Sequence, residues 1–236
     1  MRVLAIDFEA TDKIPETARI IEVGAVLYDT AARVPLEVFN SFVRHPDLPA
    51  GYVSPTGIQV EWLNEFGKSL PEVFGQVQHL YATGSPECIV AHNGLSYDKP
   101  LAMAELKRFN IVGHCFESCV WADTRRHVPF KESVGSKSLT NIAAEHLILN
   151  YFPHRALFDS MTMLKVLDHY VMQDVLANAK IPRITVRALT GYDDRQKAKD
   201  AKFIWDGTKW IKEIAEDKLE EETMLADEKG FRIIKL

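Results

Sequence analysis

The stretch VLAIDFEATD, Val3 to Asp12, decides how the rest of the chain is read. Four apolar residues run into Asp7 and Glu9, with Phe8 between the two acids. On a β-strand successive side chains point to opposite faces, so residues two apart share one. Phe8 is therefore expected to face a core while Asp7 and Glu9 project together from the strand end. A solvated loop at that point would be served as well by Ser, Asn or Gly, so the paired carboxylates ask for a reason.

Working outward, RIIEVGAVLYD (Arg19 to Asp29) is rich in β-branched residues, and LEVFNSFVRH (Leu36 to His45) alternates Val38, Ser41 and Val43 with Phe39 and Phe42. The connections are too short for helical crossovers, so the three strands are expected to form an antiparallel meander. SLPEVFGQVQHLY carries a Ser-x-x-Glu capping box at Ser69 and Glu72, Pro71 in the first turn, and a stripe of Val73, Val77, Leu80 and Tyr81, which predicts a capped amphipathic helix. Further strands are expected at 87–92 and 117–122. Helices are expected in LAMAELKRF, SLTNIAAEHLIL and ALFDSMTMLKVLDHYV, the last with a stripe from Leu157 to Val171. The order fits an α/β class: a mixed five-stranded sheet flanked by helices.

The pattern changes near Ala179 to Pro182. RITVRAL reads as a strand, Asp193 or Asp194 can cap a short helix through Ala201, and Asp206-Gly207 between apolar flanks signals a hairpin. A charged helix from about Glu216 ends at Gly230, and FRIIKL closes as a strand. The expected organisation is therefore a first domain over 1–178 and a small C-terminal α+β module over 183–236 in β-α-β-β-α-β order.

The 236 residues are 47% hydrophobic, enough for a sizeable core, and carry a formal net charge of −5, which gives no broad footprint for nucleic acid. An acidic metal site would contribute several of those charges, and bound cations would reverse them locally. No membrane span or signal peptide is expected, which points to a cytoplasmic protein. Three cysteines (Cys88, Cys115, Cys119) favour reduced thiols over a disulfide framework. His114 with Cys115 and Cys119 lacks the second pair that would make a zinc motif.

Two further polar clusters bear on the opening acids. AHNGLSYD places Asp98 at the mouth of a helix, and HRALFD places His154 and Asp159 at the start of the long one. Five positions on a helix rotate a side chain by about 140°, so His154 is expected on the entry turn after Pro153 and Asp159 on the helix itself. Four carboxylates converging from three parts of one sheet would repel strongly in a partly dry cleft, and divalent cations remove that conflict. Oxygen ligands suit Mg²⁺ or Mn²⁺, and two such ions about 4 Å apart can clamp the attacking and leaving oxygens of a phosphoryl displacement. A nearby imidazole can take the proton from the attacking water.

Asp-x-Glu at 7 and 9, His-Asn-Gly-x-x-Tyr-Asp ending at Asp98, and His-x4-Asp at 154 and 159 resemble, in order and spacing, the three motifs of the DEDDh 3′-to-5′ exonucleases. HRALFD and SLTNIAAEHL look most like exonuclease X and the polymerase III proofreading subunit, and PTGIQ at 55–59 resembles a Gly-Ile-Thr segment of that family. The resemblance covers about residues 1–175 and implies a ribonuclease H-like fold and a two-metal exonuclease. It implies Asp7, Glu9 and Asp159 as ligands of the first metal, Asp7 and Asp98 of the second, and His154 as general base, with Asn93 shaping the cleft. Ala10 and Thr11 fall where the family grips the terminal nucleotide; Ala10 stands where Thr is frequent and Asp12 where Gly is common. Implied partners are single-stranded DNA or the 3′ ends of nucleic acid, and the resemblance admits replication or repair proteins. An exoribonuclease and a non-catalytic polymerase-associated binding module are the rival readings.

Other features have plainer alternatives. Arg125, Arg126, His127, Lys131 and Lys137 could track a phosphate backbone or form a solvated loop. Trp205 and Trp210, among Lys202, Lys209 and Lys212, could stack bases, but the favoured expectation is that they form the core of the small hairpin. The segment DRQKAKDAKFIWDGTKW looks like an accessory module appended to some nucleases, and no catalytic role is assigned to it.

Overall fold

The computed structural model describes residues 1–131, 134–191 and 194–236. The chain divides into two compact units, Met1–Ala179 and Lys180–Leu236.

In the first unit β1 (Arg2–Ala10), β2 (Ile20–Asp29) and β3 (Val34–Phe42) form the antiparallel meander. Helices α1 (Val60–Phe66) and α2 (Leu70–Gly84) lead to β4 (Ile89–Ala91), which pairs parallel with β1. After α3 (Asp98–Arg108) and the one-turn α4 (Cys115–Ser118), β5 (Trp121–Asp123) pairs parallel with β4. The short α5 (Thr124–His127), α6 (Leu139–Glu145), α7 (Ala156–Leu167) and α8 (Met172–Lys180) follow. Strand order is β3-β2-β1-β4-β5, a mixed five-stranded sheet with helices on both faces.

β1 is central, so both of its faces are covered, which is why its sequence is continuously apolar until the acids. Leu4, Ile6 and Phe8 pack against Val73, Phe74, Val77 and Leu80 of α2 and Leu101 and Leu106 of α3. Val3 and Ala5 face Met163, Leu164 and Leu167 of α7 and Val175 of α8. Asp7 and Glu9 continue that second, α7-facing row, and Phe8 is buried on the other side. Fully burying each such Leu, Ile or Phe contributes about 1.5–3 kcal/mol.

The capping box at the start of α2 is formed: the Ser69 N–H donates to the Glu72 carboxylate at 2.9 Å. The strand expected at 117–122 is instead α4 followed by the three-residue β5. His114 Nδ1 accepts the Phe116 N–H at 3.3 Å and the Glu117 carboxylate accepts the His114 N–H at 2.9 Å, so a local cap outweighs the β-branched and aromatic propensity. The helix expected to reach Val171 stops at Leu167, and a separate helix, α8, buries Met172, Val175 and Leu176. Helices α1 and α8 were not among the sequence expectations. His114 also bonds the Phe74 carbonyl, and burial pushes the Cys115 thiol up to about 12, so this cluster is part of the core. Among the described residues no helix is long and apolar enough to cross a membrane.

The second unit comprises β6 (Arg183–Leu189), α9 (Arg195–Asp200), β7 (Ile204–Trp205), β8 (Trp210–Ala215), a 3-10 turn at Glu216–Lys218, α10 (Leu219–Glu228) and β9 (Arg232–Lys235). Its antiparallel sheet has the order β7-β8-β6-β9. The β7–β8 hairpin turns at Asp206–Lys209, where the Asp206 carboxylate accepts the Thr208 and Lys209 N–H groups. The core is Val186, Ala188, Ala198, Phe203, Ile214, Ala226 and Phe231. Trp205 is not in it: it is 52% exposed, and Trp210 packs only at the margin. Phe203 and Phe231, in edge contact at 5.7 Å, fill the space that was expected to hold the tryptophans. Asp194 precedes α9 without a side-chain cap, and Asp193 lies outside the described residues.

Candidate active site

The register of β1 against β2 sets the site. Asp7 stands opposite Gly24 and Glu9 opposite Glu22, and a bulge follows between Glu9 and Ala10. A Cβ on Gly24 would overlap the backbone of Ala156 and Leu157, with the Ala156 carbonyl oxygen at 2.5 Å. Glycine here lets the first turn of α7 rest on the sheet directly across from Asp7, and the Ser160 hydroxyl donates to the Gly24 carbonyl at 3.3 Å. That contact carries Asp159 to the acids of β1.

A second tie holds the same turn. Arg155 is the N-cap residue of α7, and its Nε and Nη2 donate to the buried Glu22 carboxylate at 3.1 and 2.8 Å. The other Glu22 oxygen accepts the Ala156 N–H at 3.3 Å. The guanidinium also lies 5.3 Å from the centre of the Phe42 ring. Sequence reading passed over Glu22 and Arg155. A charged residue in the middle of a run that is otherwise buried strand was the signal that a partner had to exist.

His154 lies on the entry turn, exposed, with φ +64°, a left-handed conformation uncommon for a residue with a side chain. Its N–H donates to one Asp159 oxygen at 3.0 Å, and the Asn150 amide donates to the other at 2.5 Å. Ligand-type atoms of Glu9, His154 and Asp159 all lie within 4.8 Å of one another. The close group therefore contains the imidazole together with two of the expected acids.

Asp98, the first residue of α3, is buried, and its Oδ1 accepts the Phe8 N–H at 3.2 Å, between the two acids of β1. The loop before it is held by Asp123 at the end of β5, whose oxygens accept the Asn93 and Leu95 N–H groups at 3.0 and 3.1 Å and the Arg125 N–H at 2.9 Å. Asn93 turns the chain at φ +63°, and its side-chain oxygen accepts from Arg125 at 3.2 Å. Arg126 bonds the Ser96 hydroxyl at 2.7 Å, and His127 accepts the Asp123 N–H. Much of the basic stretch at 125–127 thus braces the approach to Asp98. Ala10 is buried at the strand end, and the Thr11 hydroxyl accepts the Arg19 N–H at 2.9 Å, closing the β1–β2 connection. The Tyr97 hydroxyl donates to the Asp12 carbonyl across the mouth of the cleft.

The electrostatics follow from crowding like charges in a partly dry space. Asp7 is raised well above the usual carboxylate range, first by burial and then by Asp98, Asp159, Glu9 and Glu22. Burial also raises Glu9 to about 7, opposed by a hydrogen bond from Thr56 and by Arg155. Asp98 is likewise raised to about 7, by burial first, against the Phe8 N–H. Asp159 is raised by burial, and its bonds from Asn150 and His154 oppose the shift. Tyr97, buried beside the acids, is pushed up to about 12. Every influence named on Asp7 disfavours its anion, so the set is one that divalent cations would complete, and its oxygen-rich donors fit a hard ion.

Large apolar side chains lie open on the segment before α7: Leu149, Tyr151 and Phe152, with Phe158 against Phe152 at 4.7 Å. Sequence reading did not single them out, because an exposed aromatic and a buried one look alike in a helical stripe.

Comparison with known proteins agrees with this geometry. The family model described as exonuclease, of the RNase T type, matches residues 4–167. No curated protein matches the sequence significantly. Among solved structures, the nuclease domain of 3′hExo, a DEDDh family member bound to rAMP, superposes with TM-score 0.58 at 19% identity, over 73% of this chain and 92% of that one. E. coli Exonuclease I in complex with a dT13 oligonucleotide gives TM-score 0.56 at 14% identity, over 79% of this chain and 48% of that one. A 3′-exonuclease recognising the 3′ end of histone mRNA stem-loop gives 0.56 at 18% identity, over 71% and 62%. The chain spans about half the length of the Exonuclease I chains it matches. At these identities the likeness is one of fold, the ribonuclease H-like sheet already described. From the family match, which spans residues 4–167 of the sheet and helices just described, the chain belongs to the RNase T-type exonuclease family.

Proposed function

We propose that the protein is a metal-dependent 3′-to-5′ exonuclease that releases nucleoside 5′-monophosphates from single-stranded ends, preferentially of DNA. The observation that carries the reading is the meeting of Glu9, His154 and Asp159 within 4.8 Å, beside Asp7 and Asp98, in a family of exonucleases. Asp7, Glu9, Asp98 and Asp159 would hold two divalent cations, Mg²⁺ or Mn²⁺. When bound, such ions polarise the scissile phosphate and acidify the attacking water.

The chain's own residues supply the rest. Asp159, anchored on α7, holds the His154 backbone by its N–H and leaves the imidazole exposed. From there His154 would accept the proton of the attacking water through a free imidazole nitrogen. Asn93, Thr11 and Ala10 would meet the terminal nucleotide, as the family resemblance implies. The open faces of Phe152 and Phe158 offer stacking area for a base next to it.

The preference for DNA rests on similarity to exonuclease X and the proofreading subunit. Relatives in fold include proteins solved with dT13 and with rAMP, so the sugar is the property to test. A 3′-labelled single strand, as DNA and as RNA, is incubated with Mg²⁺ and separately with Mn²⁺. Stepwise release of mononucleotides from an open 3′ end, and none from a blocked one, is expected. Asp7→Ala and Asp159→Ala should each abolish digestion with the fold retained. Activity persisting in both variants would overturn the ligand assignment, and faster digestion of RNA would overturn the preference. His154→Ala should slow hydrolysis greatly while divalent-ion binding, read by calorimetry, survives.

A further inference from the structure

The second unit contains a cavity of about 520 Å³ lined by Thr190, Gly191, Arg195, Trp205 and Trp210. Nothing in the exonuclease chemistry uses it. We propose that it is a nucleobase-binding site through which this unit holds single-stranded nucleic acid, with the open indole of Trp205 as the stacking platform.

The argument begins with the hairpin. Trp205 and Trp210 are directly paired across β7 and β8, with ring centroids 5.6 Å apart and planes inclined at 59°. Cross-strand packing of this kind stabilises a hairpin, but it leaves Trp205 52% exposed while Phe203 and Phe231 fill the core. An indole that the fold does not bury, set against an apolar cavity, is available surface. The volume lies within the range of about 300–1,000 Å³ typical of small-ligand sites. A Cβ placed on Gly191 would meet nothing within 4 Å, so the space beside it is open. The Thr190 hydroxyl is buried and has no hydrogen-bond partner among the described residues, which provides a donor and acceptor for a base edge.

Charge favours the same occupant. The protein is acidic overall, yet residues 194–212 carry six Lys or Arg, of which Lys212 pairs with Glu222, against three Asp. Those three acids are locally engaged: Asp194 with Lys197, Asp200 with Gln196, and Asp206 with the backbone of its own turn. Lys199 and Lys202 are exposed on the α9–β7 segment, and Lys209 lies in the turn next to Trp210. Aromatic surface, a polar handle and cations to meet phosphates are the parts of a sequence-tolerant single-strand site. A purely apolar ligand would gain nothing from the lysines, and a duplex would keep its bases stacked away from the indole.

The test uses the full chain in chelator, so that no turnover is read and the result stands whether or not the cleft hydrolyses. Binding of 5′-fluorescein dT12 is compared with that of an abasic 12-mer of equal charge by anisotropy. The wild type should bind dT12 more tightly by roughly 5- to 150-fold, the range a single base–aromatic stack carries. Trp205→Ala should shrink that difference by at least about fivefold and leave abasic binding unchanged, and Trp205→Phe should restore part of it. Equal affinity of the wild type for the two strands, or a base preference of unchanged size in Trp205→Ala, would overturn the proposal. Equal wild-type affinities would sink the proposal even if the alanine variant misfolds, and Trp205→Phe then supplies the folded variant for the comparison.

Discussion

Gly24→Ala probes the contact on which the cleft depends. The added methyl would sit inside the first turn of α7, and even its contact with the Ala156 carbonyl oxygen is about 0.9 Å short of ordinary van der Waals separation. The obstacle is backbone on both sides, so no rotamer change can relieve it and the turn must lift from β2. Overpacking of this kind costs about 1–3 kcal/mol, which for a protein of this size lowers Tm by about 2–12 °C. The larger effect should be on chemistry. His154 and Asp159 ride on that turn while Asp7 and Glu9 stay on β1, and a 1 Å misplacement of a reacting group costs about 100-fold. Steady-state digestion of a 3′-labelled oligonucleotide, well below the melting temperature, should therefore show kcat/KM reduced about 100-fold. Gly75→Ala is the control: it lies on α2 with nothing within 4 Å of the new methyl, and should keep full activity with a small gain in stability. Activity of Gly24→Ala within threefold of wild type would refute the claim that this contact sets the catalytic geometry.

The ion pair behind that turn, with Glu22 buried and Arg155 34% exposed, should respond asymmetrically. Arg155→Ala leaves the Glu22 charge buried without its partner and is expected to cost about 3–5 kcal/mol in denaturant unfolding, whereas Glu22→Gln with Arg155→Met should recover most of it. Removing the Asp123 carboxylate, as in Asp123→Ala, frees two backbone N–H groups of the loop before Asp98 and that of Arg125; hydrolysis should fall with melting of the first unit lowered, and an unaltered rate would show that the brace is dispensable. For pH, the sign is set by Glu9 and Asp98, both raised to about 7 from ordinary carboxylate values. Between about pH 4.5 and 7 the folded, metal-free protein binds more protons than the unfolded chain, so its stability is fullest below that window and declines as pH rises through it. Thermal melts in chelator should show Tm falling from about pH 5 to 8, less steeply in Asp98→Asn. Mg²⁺ at 100 times its Kd should return about 2.7 kcal/mol at neutral pH.

What could be read from the chain was whatever neighbours in sequence decide. Alternation across Val3 to Glu9 put both acids on one face, Ser69 and Glu72 marked a helix start, Asp206-Gly207 marked a hairpin, and Pro153 with the spacing to Asp159 put His154 on the entry turn. These signals hold because strand pleat, helix pitch and caps act within a few residues. Local terms also explain a miss: the cap at His114 and Glu117 won over the strand propensity of the residues around it.

Tertiary structure decided what joins distant segments. Glu22 and Arg155 are 133 positions apart, and nothing in either neighbourhood names the other. Gly24 is needed only because α7 comes down on β2 at that point, and Asp123 matters only because β5 lies beside the end of β4. The expectation that Trp205 belonged to a core failed for the same reason. Whether an aromatic on a two-residue strand is covered depends on where α9, α10 and the neighbouring strands place Phe203 and Phe231, and burial is a property of that packing, not of the side chain or its local pattern.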